Sequence, residues 1–137
     1  MRQAAAMLIT KDGLILAVAR KTDKTKFGLP GGACEGNELP FTAAIRETLE
    51  ETGIKVNYGM FVYQRVEPAG KPDGEDFYAY CFYATEWEGE PKNLEGTEVK
   101  WLTPAELTSK EMGAFSDYNT KMLEAFRKLY PRVKLKE

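Results

Sequence analysis

The sequence predicts an α+β fold or a mixed α/β/α sandwich, and three observations carry that reading. Apolar and aromatic stretches on both sides of residues 40–52 read as strands. Residues 40–52 carry apolar side chains at helical spacing, and a second amphipathic segment closes the chain. The 137 residues contain no repeat, low-complexity tract or linker, so residues 1–137 are read as one domain.

Residues 3–10 (QAAAMLIT) and 14–20 (LILAVAR) read as two strands joined by Lys11-Asp12-Gly13, whose Asp-Gly pair is a hairpin signal. A polar loop at 21–26 leads into FGLPGG, where Pro30 and the paired glycines argue against regular structure. Phe41, Ala44, Ile45 and Leu49 predict a helix over 40–52, with Pro40 in its first turn and Gly53 as its C-terminal cap. Ala44, Ile45 and Leu49 are expected to face the core. Strands resume at 55–66 and 76–87, separated by a Pro/Gly/Asp loop at 67–75, and a short one follows at 97–102. Thr103-Pro104-Ala105-Glu106 is a capping box. The last helix is predicted over about 117–129, with Ser116 as its cap and Pro131 as its stop. In 76–84, Phe77, Ala79, Cys81 and Tyr83 alternate with Tyr78, Tyr80, Phe82 and Ala84, so one face is expected beneath a helix and the other as core, the alternative being a stacking platform for a nucleobase. A buried, inert Cys81 follows.

Composition removes whole chemistries. The chain has no histidine, which excludes His–Cys zinc sites, Ser–His and Cys–His nucleophile pairs and imidazole acid–base catalysis. Nineteen Lys+Arg against 21 Asp+Glu leave a net charge of −2, without the basic excess of a nucleic-acid binder, so no stable nucleic-acid partner is expected. No apolar run is long enough to span a membrane, and the N-terminal residues lack a secretory core. Cys34 and Cys81 have neither disulfide-framework nor metal spacing. A cytoplasmic protein, monomer or homodimer, is the expectation.

What remains for catalysis is carboxylates, lysine, tyrosine, cysteine or a carboxylate-held metal, and the carboxylates stand out. Glu35, Glu38, Glu47, Glu50 and Glu51 crowd into residues 35–51. On the predicted helix, Glu47, Glu50 and Glu51 fall at i, i+3 and i+4, which puts them on one face where like charges repel unless a cation sits between them. An oxygen-only set suits a hard divalent ion, Mg²⁺ or Mn²⁺, which keeps open positions for phosphate oxygens. Arg46 stands beside the set and can tether a loop carboxylate such as Glu38. An isolated E-x-x-E-E is usually a solvated helix face. The wider context overrules that reading here.

Residues 32–54 follow G-x5-E-x7-R-E-U-x-E-E-x-G-U, with Gly32, Glu38, Arg46, Glu47, Glu50, Glu51, Gly53 and Ile54 in place. This resembles the signature of the Nudix hydrolases; Thr48 departs from it, standing where the family usually has an aliphatic residue. The resemblance implies a Nudix-type α/β/α sandwich with a mixed central sheet, and metal-dependent hydrolysis of a nucleoside diphosphate linked to another group. Residue by residue it implies Glu47, Glu50, Glu51 and the Gly31 carbonyl as metal ligands, with Glu38 and Arg46 supporting the loop–helix geometry. One of the helix glutamates or Glu95 would accept the proton.

A second stretch narrows the branch. Trp87-Glu88-Gly89-Glu90-Pro91, then Glu95-Gly96 and Trp101, is similar to the MutT branch, which hydrolyses purine nucleoside triphosphates, oxidised ones among them. That similarity implies Glu95 as an extra carboxylate near the metals and Asn119, in Phe115-x-x-x-Asn119, as the reader of a purine base. It also implies Arg20 and Lys21 as phosphate contacts. The expected substrate is a small nucleotide, cleaved to monophosphate and pyrophosphate. The alternatives are a nucleotide sugar, ADP-ribose, a dinucleoside polyphosphate or a capped RNA end, and, outside catalysis, a nucleotide-sensing module of the same fold. A P-loop kinase is excluded, because LPGGACEG holds no G-K-[S/T].

Overall fold

The computed structural model describes residues 1–69 and 74–137. Eight strands and three helices follow in the order β1 (Arg2–Leu8), β2 (Thr10–Lys11), β3 (Leu14–Ala19), β4 (Phe27–Gly28), β5 (Gly31–Ala33), α1 (Pro40–Thr52), β6 (Lys55–Glu67), β7 (Phe77–Glu88), β8 (Val99–Leu102), α2 (Pro104–Thr108) and α3 (Ser116–Leu129). They form a mixed α+β sandwich. The larger sheet has the order β5-β1-β7-β6, with β1 and β7 parallel and the other pairs antiparallel. A second sheet joins β2 and β4 to β3, which also pairs with β8.

Strand alternation divides the core into two layers. Ala5, Met7 and Ile9 of the first segment and Leu16 of β3 pack with Ala43 and Ala44 of α1. The opposite face sends Leu8, Ile15, Ala17, Val62 and Cys81 against Leu107 of α2 and Met122, Leu123 and Phe126 of α3. Both faces of β7 are covered as its aromatic alternation predicts, and Cys81 is fully buried, with burial pushing its thiol pKa upward.

Several elements differ from the sequence reading. The predicted strand 3–10 ends at Leu8 and resumes as β2 in the other sheet, with Ile9 at the corner. The hairpin is present, and Asp12 and Gly13 take the positive φ values (53° and 80°) that its turn requires. FGLPGG is not irregular: β4 and β5 occupy its ends because β3 and β1 supply ladder partners. On α1 the buried stripe runs through Ala44, Thr48 and Thr52, while Leu49 is 48% exposed. Thr52 Oγ1 donates to the Thr48 carbonyl at 2.7 Å, but Thr48 Oγ1 is buried with no partner among the described residues. Ser116 is not a cap: it opens α3, and Phe115 before it takes φ 58° with no side-chain cap bond. Gly53 does cap α1, at φ 79°, and Thr103 and Glu106 form the expected capping box. The predicted loop at 67–75 includes residues 70–73, which lie outside the described residues.

Candidate active site

The glutamate helix is aimed by its two ends. Pro40 opens it, and the left-handed Gly53 closes it by donating to the Leu49 carbonyl at 2.9 Å. The carboxylates therefore fall in its middle and last turn, where the negative end of the helix dipole disfavours them and the last turn itself holds no basic residue. Such an arrangement lowers stability locally, so its reason lies outside the helix.

Arg46 holds the set together. Its Nε and Nη2 donate to Glu38 at 2.8 and 2.9 Å as a fork, Nη1 donates to Glu47 at 2.9 Å and Glu50 at 3.3 Å, and Nη2 reaches the Ala33 carbonyl at 3.2 Å. Loop 33–38 is thereby fastened to α1. The guanidinium pKa rises above its ordinary value, chiefly through the bonds to Glu38, and Glu38 is held below the usual carboxylate range by the same bonds.

Glu51 is served differently. Gly31 N–H donates to its Oε1 at 2.9 Å, yet burial dominates, and with Glu47 and Glu95 nearby its pKa is pushed up to about 7. Burial also raises Glu47. The backbone at β5 must come close for this to happen. A Cβ on Gly31 would run into the Ala5 carbonyl, and one on Gly32 would sit 2.6 Å from Glu47 Cδ.

The loop between β7 and β8 is tied down at two points. Lys92 N–H donates to the Thr52 carbonyl at 2.9 Å, and Val99 N–H donates to Asn93 Oδ1 at 2.8 Å. Between these anchors Glu95 reaches the glutamate cluster and pairs with Lys21 Nζ at 3.4 Å. Glu47, Glu50, Glu51, Glu95, Lys21, Arg20 and Gly31 thus line one cavity of about 400 Å³. Among the described residues no three acidic or cysteine side chains converge on a common point. Glu47 and Glu50 turn toward Arg46, and Glu51 toward Gly31 N–H.

Asn119 lies in a second cavity of about 260 Å³, which shares Arg20, Leu29 and Gly31 with the first. Its floor is Ala4, Ala6 and Ala79, and its walls include the rings of Phe77, Phe115 and Tyr118. Arg20 lies 4.7 Å over the Phe115 ring, at the wall common to both cavities. Asn119 is buried, and its Nδ2 donates to the Ala114 carbonyl at 3.0 Å. Sequence reasoning missed Glu67, which lines this cavity, and Arg65, which holds it at 2.8 Å. No local pattern marks them; only the β6–β7 register and the docking of α3 bring them there.

The mixed sandwich brings a glutamate-bearing helix and basic side chains beside an aromatic-walled cavity, and comparison with known proteins gives the class: hydrolases that cleave pyrophosphate bonds. The chain belongs to the NUDIX domain family, whose model matches residues 1–124, and to its MutT-like branch. A MutT-like protein of Streptomyces ambofaciens is 31% identical over 131 residues, covering 95% of this chain and 79% of the relative. The 8-oxo-dGTP diphosphatase of Escherichia coli is 32% identical over 87 residues, 64% of each chain. The crystal structure of a MutT NUDIX hydrolase from Burkholderia pseudomallei superposes with a TM-score of 0.75 at 25% identity, covering 89% of this chain and 97% of that one. The protein is a Nudix pyrophosphohydrolase. No helix among the described residues is long and apolar enough to cross a membrane.

Proposed function

We infer that the protein hydrolyses a nucleoside triphosphate to the monophosphate and pyrophosphate, with a divalent ion, Mg²⁺ or Mn²⁺, and that purine nucleotides, oxidised ones included, are its substrates. The observation that carries this reading is the shared wall: the carboxylate cavity and the aromatic cavity meet at Arg20, Leu29 and Gly31. A base in one would place its phosphates toward the other, past Arg20 and Lys21. Two relatives bear the name 8-oxo-dGTP diphosphatase, one of them putative, which favours the same substrate class.

The donor set fits a hard divalent cation. It is all oxygen, and Glu51 is buried among like charges that leave its ionised form under-compensated. Glu47, Glu50, Glu51 and Glu95, with the Gly31 carbonyl, would hold the ion. Bound there, it would neutralise phosphate charge and acidify a coordinated water. Arg46 and Glu38 keep loop and helix in register, Arg20 and Lys21 take phosphate oxygens, and a carboxylate of the set accepts the proton. Asn119, with one amide hydrogen engaged, offers Oδ1 and its other N–H to the base. Residues 1–137 act as one domain, as monomer or homodimer. Two unpaired cysteines agree with a reducing, cytoplasmic setting.

The test is a panel of nucleoside triphosphates, nucleotide sugars, ADP-ribose and dinucleoside polyphosphates in ¹⁸O-labelled water with Mg²⁺. Pyrophosphate release from a purine nucleoside triphosphate is expected. Cleavage confined to nucleotide sugars, with sugar phosphate released, would overturn it.

A further inference from the structure

The aromatic-walled cavity carries one carboxylate that the proposed hydrolysis does not use. Glu67 closes β6 and stands opposite Phe77 in the β6–β7 ladder, and both line the cavity. Its side chain is only 16% exposed, and Oε1 accepts from Arg65 Nε at 2.8 Å. Arg65 in turn reaches Asp117, in the first turn of α3, through Nη2 at 3.0 Å, and lies 5.3 Å over the Tyr118 ring. The clamp ties β6 to α3 and fixes the direction of Glu67. No other donor among the described residues serves its carboxylate.

The remaining polar side chains of the cavity narrow what it can accept. Arg20 belongs to the wall shared with the phosphate side. The Tyr80 hydroxyl is engaged by Gln3 at 3.4 Å, and Tyr118 donates its proton to the Ala79 carbonyl at 3.1 Å. Asn119 spends one Nδ2 hydrogen on the Ala114 carbonyl, which leaves Oδ1 as an acceptor and one N–H as a donor. Glu67 by contrast offers acceptors alone, and a base edge that faces it must present donors.

Among the common bases, guanine alone sets two donors side by side on its pairing edge, the ring N1–H and the exocyclic 2-amino group. Adenine and cytosine place a single amino group next to an acceptor, and an acceptor facing the carboxylate leaves the oxygen that Arg65 does not serve short of a donor. We propose that Glu67, oriented by Arg65, reads this paired donor edge and makes the protein selective for guanine-type nucleotides over adenine-type ones. The two donors are the same in guanine and in 8-oxoguanine, so Glu67 is indifferent to oxidation at C8. The inference rests on the reading of the aromatic cavity as the base site, and it is separable from hydrolysis.

The experiment is calorimetric titration of the full chain with GMP, 8-oxo-GMP and AMP, for wild type and Glu67→Gln, beside the pyrophosphate assay. Glutamine keeps an oxygen for Arg65 Nε and turns the other acceptor into a donor. Wild type should bind GMP about tenfold or more tightly than AMP, and the variant should lose or invert that preference. The ratio of GMP to 8-oxo-GMP affinity should be unchanged. Equal binding of GMP and AMP by wild type, an intact preference in Glu67→Gln, or an equal loss for both nucleotides would overturn the proposal; Glu67→Ser serves the same reading if the glutamine variant does not fold. Selective GMP binding without pyrophosphate release would remove the hydrolytic reading alone. Pyrophosphate release with unselective binding would remove only this one.

Discussion

The two cavities that meet at Arg20, Leu29 and Gly31 are built on opposite terms. On one side four glutamates, three of them late on one helix, are gathered against their mutual repulsion, and one guanidinium restrains two of them together with Glu35 and Glu38. On the other, aromatic rings and alanines enclose a few polar groups that are already tied to neighbours. The first keeps its charge available at a cost in stability. The second is stable packing with two acceptors left over. In the function proposed above, generic phosphate chemistry would fall to the strained half and selection of a base to the relaxed half, so substitutions in the two halves should fail in different ways.

The largest separation is expected from Glu51→Gln. Turnover with Mg²⁺ should fall by about a thousandfold or more. The metal-free protein should unfold at the same or a higher temperature, because a buried charge has been removed; retained turnover would sink the role given to Glu51. Arg46→Ala should damage both properties together. It abandons a fork to Glu38 and leaves carboxylates facing one another, so the midpoint of chemical denaturation should fall clearly. Arg46→Lys should recover little of it, since an ammonium cannot form the fork.

The third prediction concerns pH. Glu51 has a folded-state pKa near 7 against an ordinary value of 4.5, so the folded state binds the extra proton. Its contribution is therefore present at low pH and lost as pH rises from about 4.5 to about 7. Metal-free stability should drop by about 2–3 kcal/mol over that window. Saturating Mg²⁺ should flatten or reverse the slope, and a metal-free protein that grows more stable over the window would contradict the assignment. The smallest effect belongs to the packed face of α1. Thr48→Val removes an orphaned hydroxyl and should stabilise by about 1 kcal/mol with kcat unchanged.

The same contrast explains what could be read from the sequence. Pro40 and Gly53 bound the helix of Glu47, Glu50 and Glu51, but their i, i+3, i+4 spacing alone reads as a solvated face, and it was the surrounding signature of residues 32–54 that singled them out. Glu95 and Asn119 were legible only through resemblance, yet each lines a cavity of the site. Glu67 was not legible, since a glutamate ending a strand is ordinary until the register puts Phe77 opposite it. Very short strands escaped for a similar reason: β4 and β5 exist through their partners rather than their propensities. Leu49 misled because apolar spacing alone did not fix the phase of α1, whose buried stripe is completed by Thr48 and Thr52.

Arg46 and Glu38 have a consequence for how the enzyme responds to its surroundings. The arginine pKa is raised and that of its partner lowered, so neither changes charge from mildly acidic solution upward. Glu51, one turn along the same helix, changes charge near neutrality. The scaffold is deaf to proton concentration while the group it supports can hear it. In a chain without histidine, a group that titrates near neutrality thus sits on a frame whose own charges stay fixed, so a change of acidity can alter Glu51 without unfastening loop 33–38 from α1.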